Sequence, residues 1–371
     1  MFCGMYSSGG FSGDGVSFTC NRIAQGMSDF GFDTVVHVPW QTRASPTIAY
    51  RPAVSKLAAK FLRRLVRPIQ ERAFFDAMIA SSDSRKFAYM WPDASLKLAR
   101  ALKERGVPLV REMINCHVGT AKTLLDAAYR RRGKNGSYLT DSHVAYENAF
   151  LALMDRVVVS NEEAARSVIE NGVDGSRVIK SSYGWEESRA PQGPVPVRDP
   201  AHSVFLFVGT LCLRKGVDTL LDAWRDSGVD GKLVLLGHMD PEIATLVTGH
   251  LSPRVIHLPY SDDVASIYRD ADVFVMPSLE EGGPIVTYEA IGAGLPVIAT
   301  PMGAGYALRD GENGILVPPE DEGAMVEAFR AMAQSNERRS QFAAVSRRIA
   351  PDYLWKNVAR RRAQLLHDCL F

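Results

Sequence analysis

The sequence predicts an α/β protein built from two Rossmann-like, doubly wound domains that face each other across a cleft. Three observations predict it. Short β-rich apolar runs alternate with longer segments of helical period from one end to the other, the pattern of parallel sheets made from βαβ units. The 371 residues exceed one core of ordinary size and fit two. Between the two series of runs, the polar stretch after Trp185 carries Pro191, Pro194, Pro196 and Pro200, which stop both helix and ladder formation.

In the first half the strand candidates are 34–38, 86–91, 109–113 and 156–159, each bounded by polar or Gly/Pro signals. The second series reads 204–208, 233–236, 255–258, 273–276 and 296–299. The expected organisation is a first domain over 1–186, a linker over 187–200, a second domain over 201–350 and a terminal helix over 351–371. In that helix Leu354, Trp355, Val358, Leu365 and Leu366 follow a helical pattern that Arg360, Arg361 and Arg362 interrupt. A return of this helix to the first domain is one option. Ligands of such sheets sit outside the carboxyl ends of the strands, so the cleft is the expected site.

Composition excludes several classes. With 43 Lys and Arg against 42 Asp and Glu, the net charge of +1 offers no basic field to drive nucleic-acid binding. No apolar run approaches the roughly 18 residues of a membrane span. The first residues lack the basic and long apolar regions of a signal peptide, so a cytoplasmic protein is expected. Five scattered cysteines fit free thiols and rule out a Cys-ligated zinc element.

The most informative stretch is 271–300. It reads strand, a Gly-rich loop with Glu281, Gly282, Gly283 and Pro284, a helix over 285–293, then strand. A strand that runs through glycines into a helix N-terminus leaves unpaired N–H groups and the positive dipole end facing the crevice, an anion site suited to phosphate. Glu281 and Glu289, eight positions apart, would accept hydrogen bonds from hydroxyls, which suits sugars flanking a diphosphate. Taken singly, Glu280, Glu281 and Glu289 read as solvated charges; the Gly-Gly-Pro context favours the site. A second stretch ends a buried strand at Gly209, carries Arg214 and Lys215 in a short loop, and enters an amphipathic helix after Gly216. Its cations would face the same crevice, or stand as a solvated pair.

Both segments, in this order, resemble the family 4 retaining glycosyltransferases of the GT-B fold, the bacterial glycosyl transferases group 1. The Glu281…Glu289 element is the most specific part, followed by the Gly209…Lys215-Gly216 loop; Asp310-Gly-Glu-Asn-Gly314 resembles the family's turn before a last strand. The resemblance implies that Lys215 pairs with a donor diphosphate and Glu289 accepts ribose hydroxyl bonds. It implies that Glu281 and the backbone of Gly282, Gly283, Ile285 and Val286 hold donor sugar and phosphate. Gly10, in the irregular loop from Ser8 to Gly15, and Gly209 would approach the donor phosphates. Many relatives carry Arg where this chain has Thr210, which leaves Arg214 as the candidate second cation. His117, after the 109–113 strand, is either a structural histidine or the family's contact to the donor sugar from the opposite domain. Lys215, Glu281 and His117 are therefore the expected catalytic set.

The implied reaction moves a sugar from a UDP-, GDP- or ADP-sugar to a hydroxyl of a glycan or lipid-linked acceptor, with retention. The leaving diphosphate itself takes the acceptor proton. No metal or cofactor is expected: Asp270 ends a helix and Asp272 opens a strand, so the two carboxylates do not converge. A role in cell-surface polysaccharide or glycolipid synthesis would follow. A nucleotide-sugar epimerase or phosphorylase of the same fold, and a non-catalytic sugar-nucleotide-binding partner, are the alternatives. The 51–72 segment interleaves Lys56, Lys60, Arg63, Arg64 and Arg67 with Leu57, Phe61, Leu62, Leu65 and Val66. Two readings stay open there: peripheral contact with the inner face of an anionic membrane, or a solvated basic face over a packed apolar stripe.

Overall fold

A computed structural model describes residues 1–11, 15–42, 45, 47–187, 202–261 and 263–371. Most of the proline-rich stretch (188–200) and Ser12, Gly13 and Asp14 of the glycine-rich loop lie outside the described residues.

The first sheet contains β1 (Phe2–Tyr6), β2 (Asp33–Val38), β3 (Ala49–Pro52), β4 (Lys86–Met90), β5 (Leu109–Glu112), β6 (Arg156–Val159) and β7 (Val178–Lys180) in the order β3-β2-β1-β4-β5-β6-β7. The second contains β8 (Ser203–Val208), β9 (Gly231–Leu236), β10 (Val255–Leu258), β11 (Val273–Met276), β12 (Val297–Ala299) and β13 (Gly314–Leu316) in the order β10-β9-β8-β11-β12-β13. All strand pairs are parallel, with Phe205 opposite Leu233 and Val273 opposite Phe205. Helices cover both faces of such sheets, so the central strands are apolar throughout; all four residues of β11 are buried. In both sheets the order reverses beside the first strand, between β1 and β4 and between β8 and β11. Crevices open at such reversals, so the loops after β8 and β11 share one crevice.

Three strands went unmarked or understated in the sequence. β3 is an exposed edge strand without an apolar run, and β7 has three residues. β1 is buried throughout, but Gly4 divides its apolar run; a Cβ there would lie 2.2 Å from Met78 Sδ.

The last helix, Trp355–Leu370, leaves the second domain and packs on the Gly15–Phe30 helix of the first. The two cross closely enough that a Cβ on Gly26 would lie 2.2 Å from the Ala359 Cβ. The three arginines do not interrupt this helix. Arg360 and Arg361 face solvent, while Arg362 is fully buried and its Nη1 donates to both oxygens of buried Glu112 at 2.8 and 2.9 Å. Ser160, Ser181 and the Ser182 carbonyl accept its remaining N–H groups, and Tyr89 and Tyr183 donate to Glu112. Every charge in this network is thus matched.

The 51–72 segment forms the Lys56–Phe61 helix and the start of the Arg63–Ala80 helix. Its apolar side chains are not packed under a basic face: Leu57, Phe61, Leu65 and Ile69 are exposed, Phe61 by 81 %. Val66, Gln70, Phe74 and Met78 make the inward face instead. No helix among the described residues is long and apolar enough to cross a membrane.

Candidate donor site at the second-domain switch point

The loops after β8 and β11 are built against each other. Gly216 takes φ 66°, and a Cβ on it would sit 2.2 Å from the Pro277 carbonyl oxygen, so glycine is what lets the loops touch. The Leu279 N–H donates to the Arg214 carbonyl at 2.9 Å. This contact brings both cations of the first loop to the carboxylates of the second. Lys215 Nζ is paired with Glu281 Oε1, which also accepts from Ser278 Oγ at 3.1 Å. Arg214 lies 3.3 Å from Glu280 Oε2 and 3.9 Å from Glu281 Oε2. Burial works against the Arg214 charge, but Glu281 and Glu280 outweigh it and hold its pKa above the ordinary value. Lys215 and Glu281 thus satisfy each other here.

The Ile285–Gly292 helix begins directly after Pro284 with no side-chain cap. The N–H groups of Ile285 and Val286 have no acceptor inside the helix, and its positive end completes an anion-binding corner. One turn on, Glu289 is half-buried, with the Tyr268 hydroxyl 3.2 Å from its Oε2. Glu289 and Tyr268 line a pocket of about 370 Å³, whose other walls include Ala265, Trp185 and Gly292. Gly209, at the end of β8, takes φ 151°, and its carbonyl oxygen lies 2.0 Å from where a Gly237 Cβ would stand.

The first domain covers this site. A Cβ on Gly282 would lie 2.1 Å from the Ile114 carbonyl carbon, and one on Gly283 would lie 2.6 Å from the Ser160 Cβ. These glycines therefore admit the opposite domain's chain, a requirement beyond leaving room for phosphate. Glu280, which read alone as a solvated charge, is 1 % exposed. It accepts from the Cys116 N–H at 2.9 Å and from Asn115 Nδ2 at 3.1 Å, tying the two domains together at the site. Burial pushes its carboxyl pKa up, against the pull of Arg214. A Glu-Glu-Gly-Gly run, whose first carboxylate follows a buried strand by four positions, was the available signal.

Two predicted residues stand apart. His117 is fully buried and caps the Val118–Arg131 helix: Nδ1 accepts from the Gly119 N–H at 3.0 Å, which leaves the proton on Nε2, 2.8 Å from Asn148 Oδ1. Both nitrogens of His117 are thus engaged inside the first domain. Gly10 packs on Trp40, where a Cβ would meet the ring at 2.2 Å. Asp270 and Asp272 are engaged separately, with Arg269 and with the Val204 N–H.

Residues 202–335 match the family described as Glycosyl transferases group 1. The chain is 28 % identical over 236 residues to a D-inositol 3-phosphate glycosyltransferase of Rhodococcus opacus, covering 57 % of this chain and 53 % of that protein. It thus spans about half the length of the curated relatives it matches. Among solved structures, a sucrose-phosphate synthase from Thermosynechococcus elongatus superposes with a TM-score of 0.72 at 18 % identity, over 99 % of this chain and 98 % of that one. Anabaena Alr3699/HepE in complex with UDP and glucose gives 0.70 at 15 % identity, over 99 % and 100 %. Likeness at such identity carries the fold. Residues 202–335 of the second domain are thus similar to the group 1 glycosyl transferases, and the two facing domains have the GT-B fold.

Proposed function

We propose that the protein is a retaining glycosyltransferase that moves a sugar from a nucleoside diphosphate sugar to a hydroxyl acceptor without a metal ion. The observation that carries this reading is the pairing of Lys215 with Glu281 four residues before the uncapped Ile285–Gly292 helix, with Glu289 one turn into that helix beside a pocket. The cation and helix end suit the negative charge that grows on a leaving diphosphate, and the two carboxylates suit the hydroxyls on either side of it. The leaving phosphate takes the acceptor proton, so no side-chain nucleophile is needed. Arg214 stands beside the site as the second cation in the place left by Thr210. The UDP-bound Anabaena neighbour makes UDP-sugars the first donors to try, and the Rhodococcus relative makes a phosphorylated polyol a reasonable first acceptor.

The test is a screen of UDP-, GDP- and ADP-sugars by thermal shift, followed by transfer assays in excess EDTA and product stereochemistry by NMR. One donor is expected to stabilise the protein, and Lys215→Ala is expected to cut turnover about 100-fold or more. Full activity of Lys215→Ala, or an inverted product, would overturn the reading.

The reading extends to an anionic membrane surface, supported by exposed Leu57, Phe61, Leu65 and Ile69 among Lys56, Lys60 and Arg64. Co-sedimentation with phosphatidylglycerol vesicles should be strong and should be lost in Phe61→Glu; equal sedimentation of both proteins removes this surface from the account.

A further inference from the structure

Asn161 belongs to the first domain but works at its boundary with the second. It follows β6 and caps the Glu162–Glu170 helix, its Oδ1 accepting the Ala164 N–H at 2.6 Å. The cap uses one end of the amide. The other end, Nδ2, faces two carbonyls of the second domain, 3.4 Å from that of Glu281 and 3.5 Å from that of Met302. The partners themselves assign the oxygen and the nitrogen, an N–H on one side and two acceptors on the other. The side chain is fully buried and its place is fixed on both sides. Ser160 Oγ, one residue back, accepts from Arg362 Nη2 at 3.2 Å, and Ser167 Oγ in the capped helix accepts the His117 N–H at 2.9 Å.

Both carbonyls need that donor. Met302 lies in the Pro301–Ala304 helix, which is too short to satisfy its own carbonyls. Among the described residues no other N–H or O–H reaches the Glu281 carbonyl. The Glu281–Gly282 peptide is trans, so its N–H points opposite to its carbonyl. With the carbonyl turned to Asn161, the Gly282 N–H is turned away from it, and among the described residues that N–H has no acceptor. Glycine on the far side of this peptide leaves its plane free to turn unless something holds it. The contacts of Glu280 with Cys116 and of Gly282 with Ile114 fix where the loop lies. Asn161 fixes which way the peptide faces.

We propose that Asn161 is a positioning residue: from the first domain it turns the Glu281–Gly282 peptide so that the Gly282 N–H is presented to the donor, and it does so only while that domain is docked on the loop. The proposal rests on the glycosyltransferase reading and deepens it by naming how the site is completed. The second domain holds the nucleotide, and the first domain orients the last N–H for the charge that grows on the leaving group. Both Nδ2 contacts are long, as such contacts often are before a ligand tightens the site.

Two variants separate this role from the helix cap. Asn161→Ser keeps a good cap but is too short to reach the two carbonyls, and Asn161→Asp keeps cap and shape while setting a carboxylate oxygen against them. Hydrogen exchange needs no substrate: in both variants the amides of 280–286 should exchange faster than in the parent, while those of 164–170 keep their protection. Turnover is read as hydrolysis of whichever of UDP-, GDP- and ADP-glucose the parent hydrolyses fastest, with water as the acceptor. In Asn161→Ser kcat should fall about 10-fold, the range for two neutral hydrogen bonds, while the matching nucleoside diphosphate binds within about 2-fold of the parent in calorimetry. In Asn161→Asp the ratio of kcat to that of the parent should rise several-fold from about pH 8 to about pH 5, because a protonated carboxyl at this position donates an O–H to the carbonyls again. The charged groups around it are Glu162 and Glu163 in the first turn of its own helix, Arg362 beyond Ser160, and the Lys215–Glu281 pair. All are present in both proteins, so the ratio cancels their own titration. Parent-like exchange over 280–286, parent-like kcat in Asn161→Ser, or a flat ratio in Asn161→Asp would overturn the proposal. Lost protection over 164–170 in Asn161→Ser would assign the effect to the helix and overturn it as well. A parent protein that binds none of UDP, GDP and ADP would remove the glycosyltransferase reading itself, whereas a parent that hydrolyses donor beside an equally active Asn161→Ser removes only the role of Asn161.

Discussion

The two domains are joined at opposite ends of the cleft by contacts of different kinds. At one end the chain crosses between them twice and the crossings pair: the Trp185 N–H donates to the Tyr353 carbonyl at 3.0 Å, and the Trp355 N–H to the Trp185 carbonyl at 3.1 Å. Behind this pair, Arg362 from the last helix reaches Glu112 with no exposure of either side chain. At the other end the contact is a row of surface ion pairs. Arg132 meets Asp218 at 2.9 Å and Asp222 at 2.7 Å, Arg131 pairs with Glu320, and Tyr129 donates to Glu242. The arginines of the second kind of contact are a third to a half exposed, whereas neither partner of the Arg362–Glu112 pair is exposed at all. We call the Trp185 end the hinge end and the Arg131–Arg132 end the clasp.

The largest effect should come from breaking the hinge end. Glu112→Gln leaves the Arg362 charge buried beside a neutral amide, and removal of one partner of a buried pair costs about 3–5 kcal/mol. The midpoint of urea unfolding should fall accordingly. Replacing both partners with apolar residues, Glu112→Leu with Arg362→Met, should recover most of the loss, since the desolvation of both charges disappears with them. A Glu112→Gln protein as stable as the parent would show that the network does not anchor the last helix.

The same contrast explains what could be read in advance. The placement of Lys215, Glu281 and Glu289 on the loops and helix after β8 and β11 was legible because each belongs to a short segment with its own pattern of strand, glycine loop and helix. The parallel strands of the second domain were legible for the same reason, as continuous apolar runs such as Val273–Met276. Glu280 and Arg362 were not. Their partners, Cys116 and Glu112, are 164 and 250 positions away, and no local period reports a contact at that range. His117 carried two readings in the sequence, structural or a sugar contact, and only the structure shows that its neighbours Gly119 and Asn148 engage both nitrogens.

A smaller effect on stability, and a larger one on shape, is expected at the clasp. Arg131→Ala with Arg132→Ala removes pairs whose arginines are a third to a half exposed, so the unfolding midpoint should fall less than at the hinge end, with most of the loss at buried Asp218. The clasp has a second property that the hinge lacks. Ionic screening shortens the reach of exposed charges from about 10 Å at 0.1 M salt to about 3 Å at 1 M, whereas the Arg362–Glu112 pair is shielded from the solution. Small-angle scattering of the parent protein should therefore report a larger radius of gyration at high salt than at low salt. The double variant should have the larger radius at both, because the charges that respond to salt are gone. If radius and salt response are the same in both proteins, the ion pairs are passengers on a closure set elsewhere, and the contact of Glu280 with Cys116 becomes the element that holds the domains together.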